Sequence, residues 1–186
     1  RYAGSEIRGS LEETHISWVI LGARHVFKVK KPVRLSFLDF SSLAKRKKFC
    51  EKEYLLNSRF SDIYLGVVAV RRFLGVWTLG EQEGELIDYA VVMKRMNSTR
   101  RMDRLLRANK VEDSMIISLA NSVAGFHKRA EVISTPFDLA RARQSFADIE
   151  SIAPFVSKKL GGKYSEVLAQ SILWNNDFLR KYGNRL

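Results

Sequence analysis

Cysteine is nearly absent from the chain. Cys50 stands alone, so no internal disulfide can form, and its place beside Phe49 and Tyr54 in a helical pattern marks a small buried thiol. Beside one cysteine there are three scattered histidines, His15, His25 and His127, and no zinc-ligand spacing occurs. His127 falls near the end of a long helical pattern, as a helix-terminal histidine favoured by the dipole or one packed on the neighbouring lobe. Long apolar runs are missing as well. The longest, such as Tyr64–Val70 and Tyr89–Met93, fall far short of the roughly 20 residues needed to cross a bilayer, and no charged-then-apolar leader opens the chain. These absences exclude a disulfide scaffold and a spanning helix, and lead to the expectation of a cytoplasmic protein with no membrane partner. No internal repeat and no low-complexity segment interrupts the sequence.

Acidic residues are few: 20 Asp and Glu face 32 Lys and Arg, for a net charge of +12. Such a balance points to phosphate-bearing partners, either nucleotide or nucleic acid. The basic residues gather at Arg24–Arg34, Lys45–Lys48 and Lys94–Arg107, without the zinc ligands, helix-turn-helix pattern or interleaved aromatics of common nucleic-acid modules. The chain starts at Arg1 rather than Met and stops at Asn184-Arg185-Leu186 without a terminating signal. The expectation is a piece of a longer protein, in which a missing acidic portion would alter this charge balance.

What is present has two characters. Thr14–Leu21 and Val26–Lys31 are rich in β-branched and aromatic residues and form a hairpin around Gly22. Pro32 ends the second strand, and Asp39-Phe40-Ser41-Ser42 offers N-cap residues to a helix reaching about Phe60, with Leu43, Cys50, Tyr54 and Leu56 on its buried side. Three further strands follow at Tyr64–Phe73, Val76–Leu79 and Ile87–Arg95, parted by Gly75 and the turn-rich Gly80–Gly84. After Met96 the pattern is helical: Met102–Ala108, Val111–Ala130, Phe137–Ile149 and two more helices beyond Ala153. In the longest of these, Ile116, Leu119, Ala120, Val123 and Phe126 recur at three- and four-residue steps, the mark of a helix buried along one face. The fold class is therefore α+β, five strands with one helix over residues 1–96 and an all-α portion over residues 97–186. No Pro/Gly linker separates the two near Met96–Arg101, so they are expected to pack as lobes of one unit.

In the strand His25–Lys30, alternation sets Val26, Lys28 and Lys30 on one side and Phe27 and Val29 on the other. Mid-strand lysines among apolar neighbours have two explanations: an edge strand protected against aggregation, or a site. The following helix bears on the choice. Glu51 has Lys47 and Lys48 within helical reach and reads as a solvated surface pair. Glu53 instead has Phe49, Cys50, Leu56 and Asn57 at those spacings, so its carboxylate needs a cation from another element. Lys28 is the natural candidate, with Lys30 its rival on the same side. A strand lysine tied to a carboxylate on the next helix is how protein kinases hold a lysine against the α- and β-phosphates of a nucleotide.

Val26-Phe27-Lys28 resembles the Val-Ala-Ile-Lys strand of kinases, Cys50–Leu56 resembles the helix with the paired glutamate, and Tyr89–Met96 resembles the strand leading to the hinge. As a set, Glu13–Val19, Phe27–Pro32, Phe37–Ser41 and these segments resemble the aminoglycoside phosphotransferase-like proteins of the kinase-like fold. The likeness is strongest to an uncharacterised bacterial branch, some members of which continue into a P-loop ATPase domain. It covers about residues 13–130. The resemblance implies a kinase-like N-lobe, an antiparallel five-stranded sheet plus one helix, with ATP and magnesium as cofactors. Lys28 would grip phosphates, Glu53 would orient it, Val26 would line the adenine pocket, Met93 would stand at its rear, and the backbone of Lys94, Arg95 and Met96 would meet the adenine edge. Thr14-His15-Ile16-Ser17 occupies the place of the glycine-rich loop without a glycine, so phosphate contact there would come from the Thr14 and Ser17 hydroxyls and from backbone N–H groups. Lys28 is preferred to Lys30 because Val26 then falls two residues earlier, as in the family strand.

The catalytic half of that pattern is absent. No His-Gly-Asp or His-Arg-Asp segment occurs, and Asp103, Asp113, Asp138, Asp148 and Asp177 lack the expected neighbours. The helical portion therefore reads as an incomplete C-lobe, with neither a catalytic residue nor a metal ligand within the chain. The leading expectation is the nucleotide-binding portion of an ATP-dependent phosphotransferase acting on a small-molecule hydroxyl, with a fused or neighbouring P-loop ATPase domain as an expected partner. A pseudokinase-type regulatory module ranks second, and a basic nucleic-acid-binding protein ranks last.

Overall fold

The computed structural model describes residues 1–81 and 83–183; the chain end at Asn184–Leu186 lies outside them. The described chain divides into two compact units, Arg1–Ala130 and Glu131–Leu186. The expected boundary at 96/97 thus falls within the first unit, which takes in the helices immediately after it.

The protein is α+β. Its principal sheet is wholly antiparallel and has the order β1-β2-β3-β8-β6-β7, with β1 at Gly9–Glu13, β2 at Ser17–Gly22, β3 at His25–Lys30, β6 at Tyr64–Phe73, β7 at Val76–Leu79 and β8 at Glu85–Lys94. Six strands pair where the sequence leads one to expect five. The additional one, β1, is Gly-Ser-Leu-Glu-Glu, and every residue in it is exposed; an edge strand packed on neither face carries no apolar alternation to betray it. Thr14, expected to open a strand, instead belongs to the turn joining β1 to β2. A small hairpin of β4 (Arg34–Leu35) and β5 (Leu38–Asp39) precedes the helix α1, Leu43–Ser58.

One sheet face closes over Phe27, Val70, Leu79, Ala90 and Val92, with Tyr2, Ile7 and Ile20 packed against them. Helix α1 packs against β8 and β6. It starts where the Ser42 side chain accepts from the Lys45 N–H, an N-cap that satisfies one of the four free donors. Its buried residues are Cys50 and, unexpectedly, Arg46, whereas Leu56, expected on the buried side, is 51% exposed. The Arg46 Nε donates to both carboxylate oxygens of Asp88 on β8 at 2.9 Å, and Nη1 donates to the Phe40 carbonyl at 3.0 Å. A charge inside a Lys-Arg-Lys-Lys run reads as surface; only the lone carboxylate in the apolar stretch Ile87–Ala90 hinted at a buried cation opposite it.

The first unit continues through α2 (Met102–Arg107) to α3 (Asp113–Arg129). Phe126 meets the Phe60 ring edge to face at 5.2 Å, but α3 buries none of its residues, and Ile116 and Leu119 are 48% and 49% exposed. Its apolar period is as expected; the burial it was expected to accompany is not found among the described residues. In the second unit, α4 (Leu139–Ala147) and a 3-10 turn at Asp148–Ile152 lead to α5 (Ala153–Leu160) and α6 (Gly162–Tyr182), which packs on both helices. Gly161 between α5 and α6 has φ of +86°, a backbone state that glycine enters without penalty. No described helix is long and apolar enough to cross a membrane.

Candidate functional site

Strand β3 lies inside the sheet, between β2 and β8, so its lysines are not edge protection. Register sets Val26 opposite Leu21 and Met93, Lys28 opposite Val19 and Val91, and Lys30 opposite Ser17. Helix α1 crosses this face and delivers Glu53 to both lysines at once. The Lys28 Nζ donates to Glu53 Oε1 at 2.9 Å, and the Lys30 Nζ donates to Oε2 at 2.6 Å. Each carboxylate oxygen therefore holds one ammonium, which is what a half-buried carboxylate requires to stay ionised. Burial pushes the Glu53 pKa upward, but the hydrogen bonds from Lys30 and Lys28 outweigh it and bring it below the ordinary value.

The two lysines differ in access. The Lys30 side chain is 5% exposed, and its Nζ also lies 4.9 Å from the Phe40 ring centroid; the Lys28 side chain is 31% exposed. One ammonium is enclosed by carboxylate and aromatic ring, and the other has an open side. One helical turn before Glu53, the buried Cys50 thiol donates to the Tyr89 carbonyl at 3.7 Å, and burial pushes its pKa up to about 11.

The remaining expected positions fall in two places. In the β1–β2 turn, the Thr14 hydroxyl accepts from the Ser17 N–H and donates to the Ser17 carbonyl, both at 3.0 Å. Ser17 itself is fully buried, and its hydroxyl has no hydrogen-bond partner among the described residues. Thr14 is itself exposed with its hydroxyl bonded to the Ser17 backbone, whereas the Ser17 side chain is enclosed. At the end of β8, Met93 is half-buried between Val26 and Tyr64. The Lys94 N–H donates to the Ile63 carbonyl and the Arg95 N–H to the Arg24 carbonyl, each at 2.8 Å. The Lys94 ammonium is held 2.6 Å from Asp62. Met96, 61% exposed, is the one member of that trio whose N–H meets no acceptor among the described residues.

No family model matches the chain, and no solved structure matches it. Similar sequences do exist. An uncharacterized protein of Mycobacterium bovis, and its counterparts in two strains of Mycobacterium tuberculosis, are each 31% identical to this chain over 121 residues. The match takes in 65% of this chain but 23% of each relative, so the chain spans under a quarter of the length of the proteins it matches. Arg46 and Asp88 escaped the sequence reading of this site, as did the equal share of Glu53 taken by Lys30. The first hides in a basic run; the second follows from alternation but not its degree of burial.

Proposed function

We propose that the sheet and α1 form a kinase-like nucleotide-binding N-lobe, resembling that of aminoglycoside phosphotransferases. The whole protein of which this lobe is a part would move a phosphoryl group from ATP to a small-molecule hydroxyl. The observation that carries the reading is the Lys28–Glu53 pair at 2.9 Å, joining a central strand to the next helix with the ammonium left partly open.

Lys28 is the phosphate ligand in this reading, because a cation must be reachable to be useful and Lys30 is enclosed. Lys30 then serves as the second anchor of Glu53. The cross-strand pair of Val26 and Met93 would form the apolar ledge for adenine, and the Met96 N–H would supply the donor to its edge. ATP, when bound, provides the transferable phosphoryl group; the part of these residues is to grip and orient it. Magnesium accompanies the ATP in this reading, and none of the residues assigned here is its ligand.

The test is calorimetry with a non-hydrolysable ATP analogue and magnesium, run beside a DNA titration. Saturable nucleotide binding should weaken at least about tenfold in Lys28→Ala, as expected when a charge-assisted contact worth about 1.4 kcal/mol or more is lost, and should also weaken in Glu53→Ala. Equal affinity in wild type and Lys28→Ala would remove the assignment. Salt-steep DNA binding with no nucleotide binding would instead favour the basic surface as the functional element.

A further inference from the structure

The second unit contains a half-open cavity of about 530 Å³ between α4, the 3-10 turn and α6, within the range of small-molecule sites. Asn175 lines it and is 7% exposed, more than nine-tenths buried. Its carboxamide neither donates nor accepts a hydrogen bond among the described residues. The carboxamide is not one of the fully enclosed unpaired groups; it is open to the cavity, where water can pair it and an entering ligand would take the place of that water. Asparagine offers a donor and an acceptor side by side, the pattern that reads a heterocycle edge such as that of adenine.

The walls suit a flat ligand. Trp174 and Phe146 line the same cavity and are 66% and 53% exposed. Trp174 stacks on Phe178 at 5.4 Å with an interplanar angle of 21°, which fixes its plane from one side. Arg143 and Glu150 also line the cavity. Neither forms an ion pair among the described residues, and their opposite signs leave no net charge to select an ion. We propose that this cavity binds a small, neutral, planar heterocycle bearing adjacent donor and acceptor groups, of nucleobase type, with Asn175 reading its edge and Trp174 and Phe146 contacting its faces.

Two-dimensional NMR of the isotope-labelled full chain tests this, with adenine as probe and indole as a planar control lacking the paired donor and acceptor. Adenine should shift the Trp174 indole N–H and the Asn175 carboxamide signals saturably, in wild type and in Lys28→Ala alike. Asn175→Leu should weaken adenine binding at least tenfold while indole still perturbs Trp174, showing that the cavity is intact. Should Asn175→Leu fail to fold, Trp174→Ala, at an exposed position, should weaken both probes. Unchanged adenine affinity in Asn175→Leu would overturn the proposal. So would adenine shifts confined to Val26 and Met93, or the absence of any saturable shift at Trp174.

Discussion

At the scale of single residues, the chemistry of the first unit turns on one carboxylate serving two cations. Glu53 has a lowered pKa in the folded protein, so it contributes stability that is fully present above its ordinary value of 4.5 and is lost as pH falls through the lower folded value. Urea denaturation midpoints measured down an acid series should fall in wild type more steeply than in Glu53→Gln, where that contribution is gone. Removing Lys30 should also cost more stability than removing Lys28, since the enclosed ammonium is the poorer one to replace by water; melting curves of Lys30→Met and Lys28→Met give the comparison. The Cys50 thiol, pushed up to about 11 by burial, should react with a disulfide reagent at mildly alkaline pH at the rate of unfolding, and a rapid stoichiometric reaction in native buffer would contradict its packing. Glu53 was legible in the sequence because Phe49, Cys50, Leu56 and Asn57 surround it at helical spacing. The division of labour between Lys28 and Lys30 was not, because alternation gives both the same face and only the fold decides which lies beneath Phe40.

At the scale of elements, α1 is fixed to the sheet by charge as much as by apolar packing. The Arg46–Asp88 pair, 9% and 8% exposed, would leave a buried carboxylate without its cation in Arg46→Ala, with an expected loss of about 3–5 kcal/mol in denaturant unfolding. Arg46→Met with Asp88→Leu removes both charges and should recover much of that loss. If the single and double variants were equally destabilised, the pair would be a packing element rather than an ionic one. The strands and α1 were readable because β-branched runs and cap residues mark them. Strand β1 was not, since Gly9–Glu13 is exposed throughout and pairs only through its backbone. For α3 the sequence gives the apolar period of Ile116, Leu119 and Val123, but period alone says nothing of what lies against it.

At the scale of the whole molecule, accessible surface is the informative quantity. Ile117, Val132, Leu173 and Trp174 are among the large apolar side chains left 60% exposed or more. An environment-sensitive hydrophobic dye should therefore fluoresce with the native protein at neutral pH, and a signal no greater than that of a compact control protein would contradict the exposure. Residues 131–138 lack regular structure and are exposed throughout, so limited proteolysis should cut there first and release the two units as separate bands. Within the first unit, Glu53 is held by two lysines while Arg46 holds Asp88. A phosphate drawing Lys28 toward itself would leave α1 fastened at two other points. If a nucleotide binds as proposed, occupancy would register as the reorientation of one side chain, with the helix keeping its place.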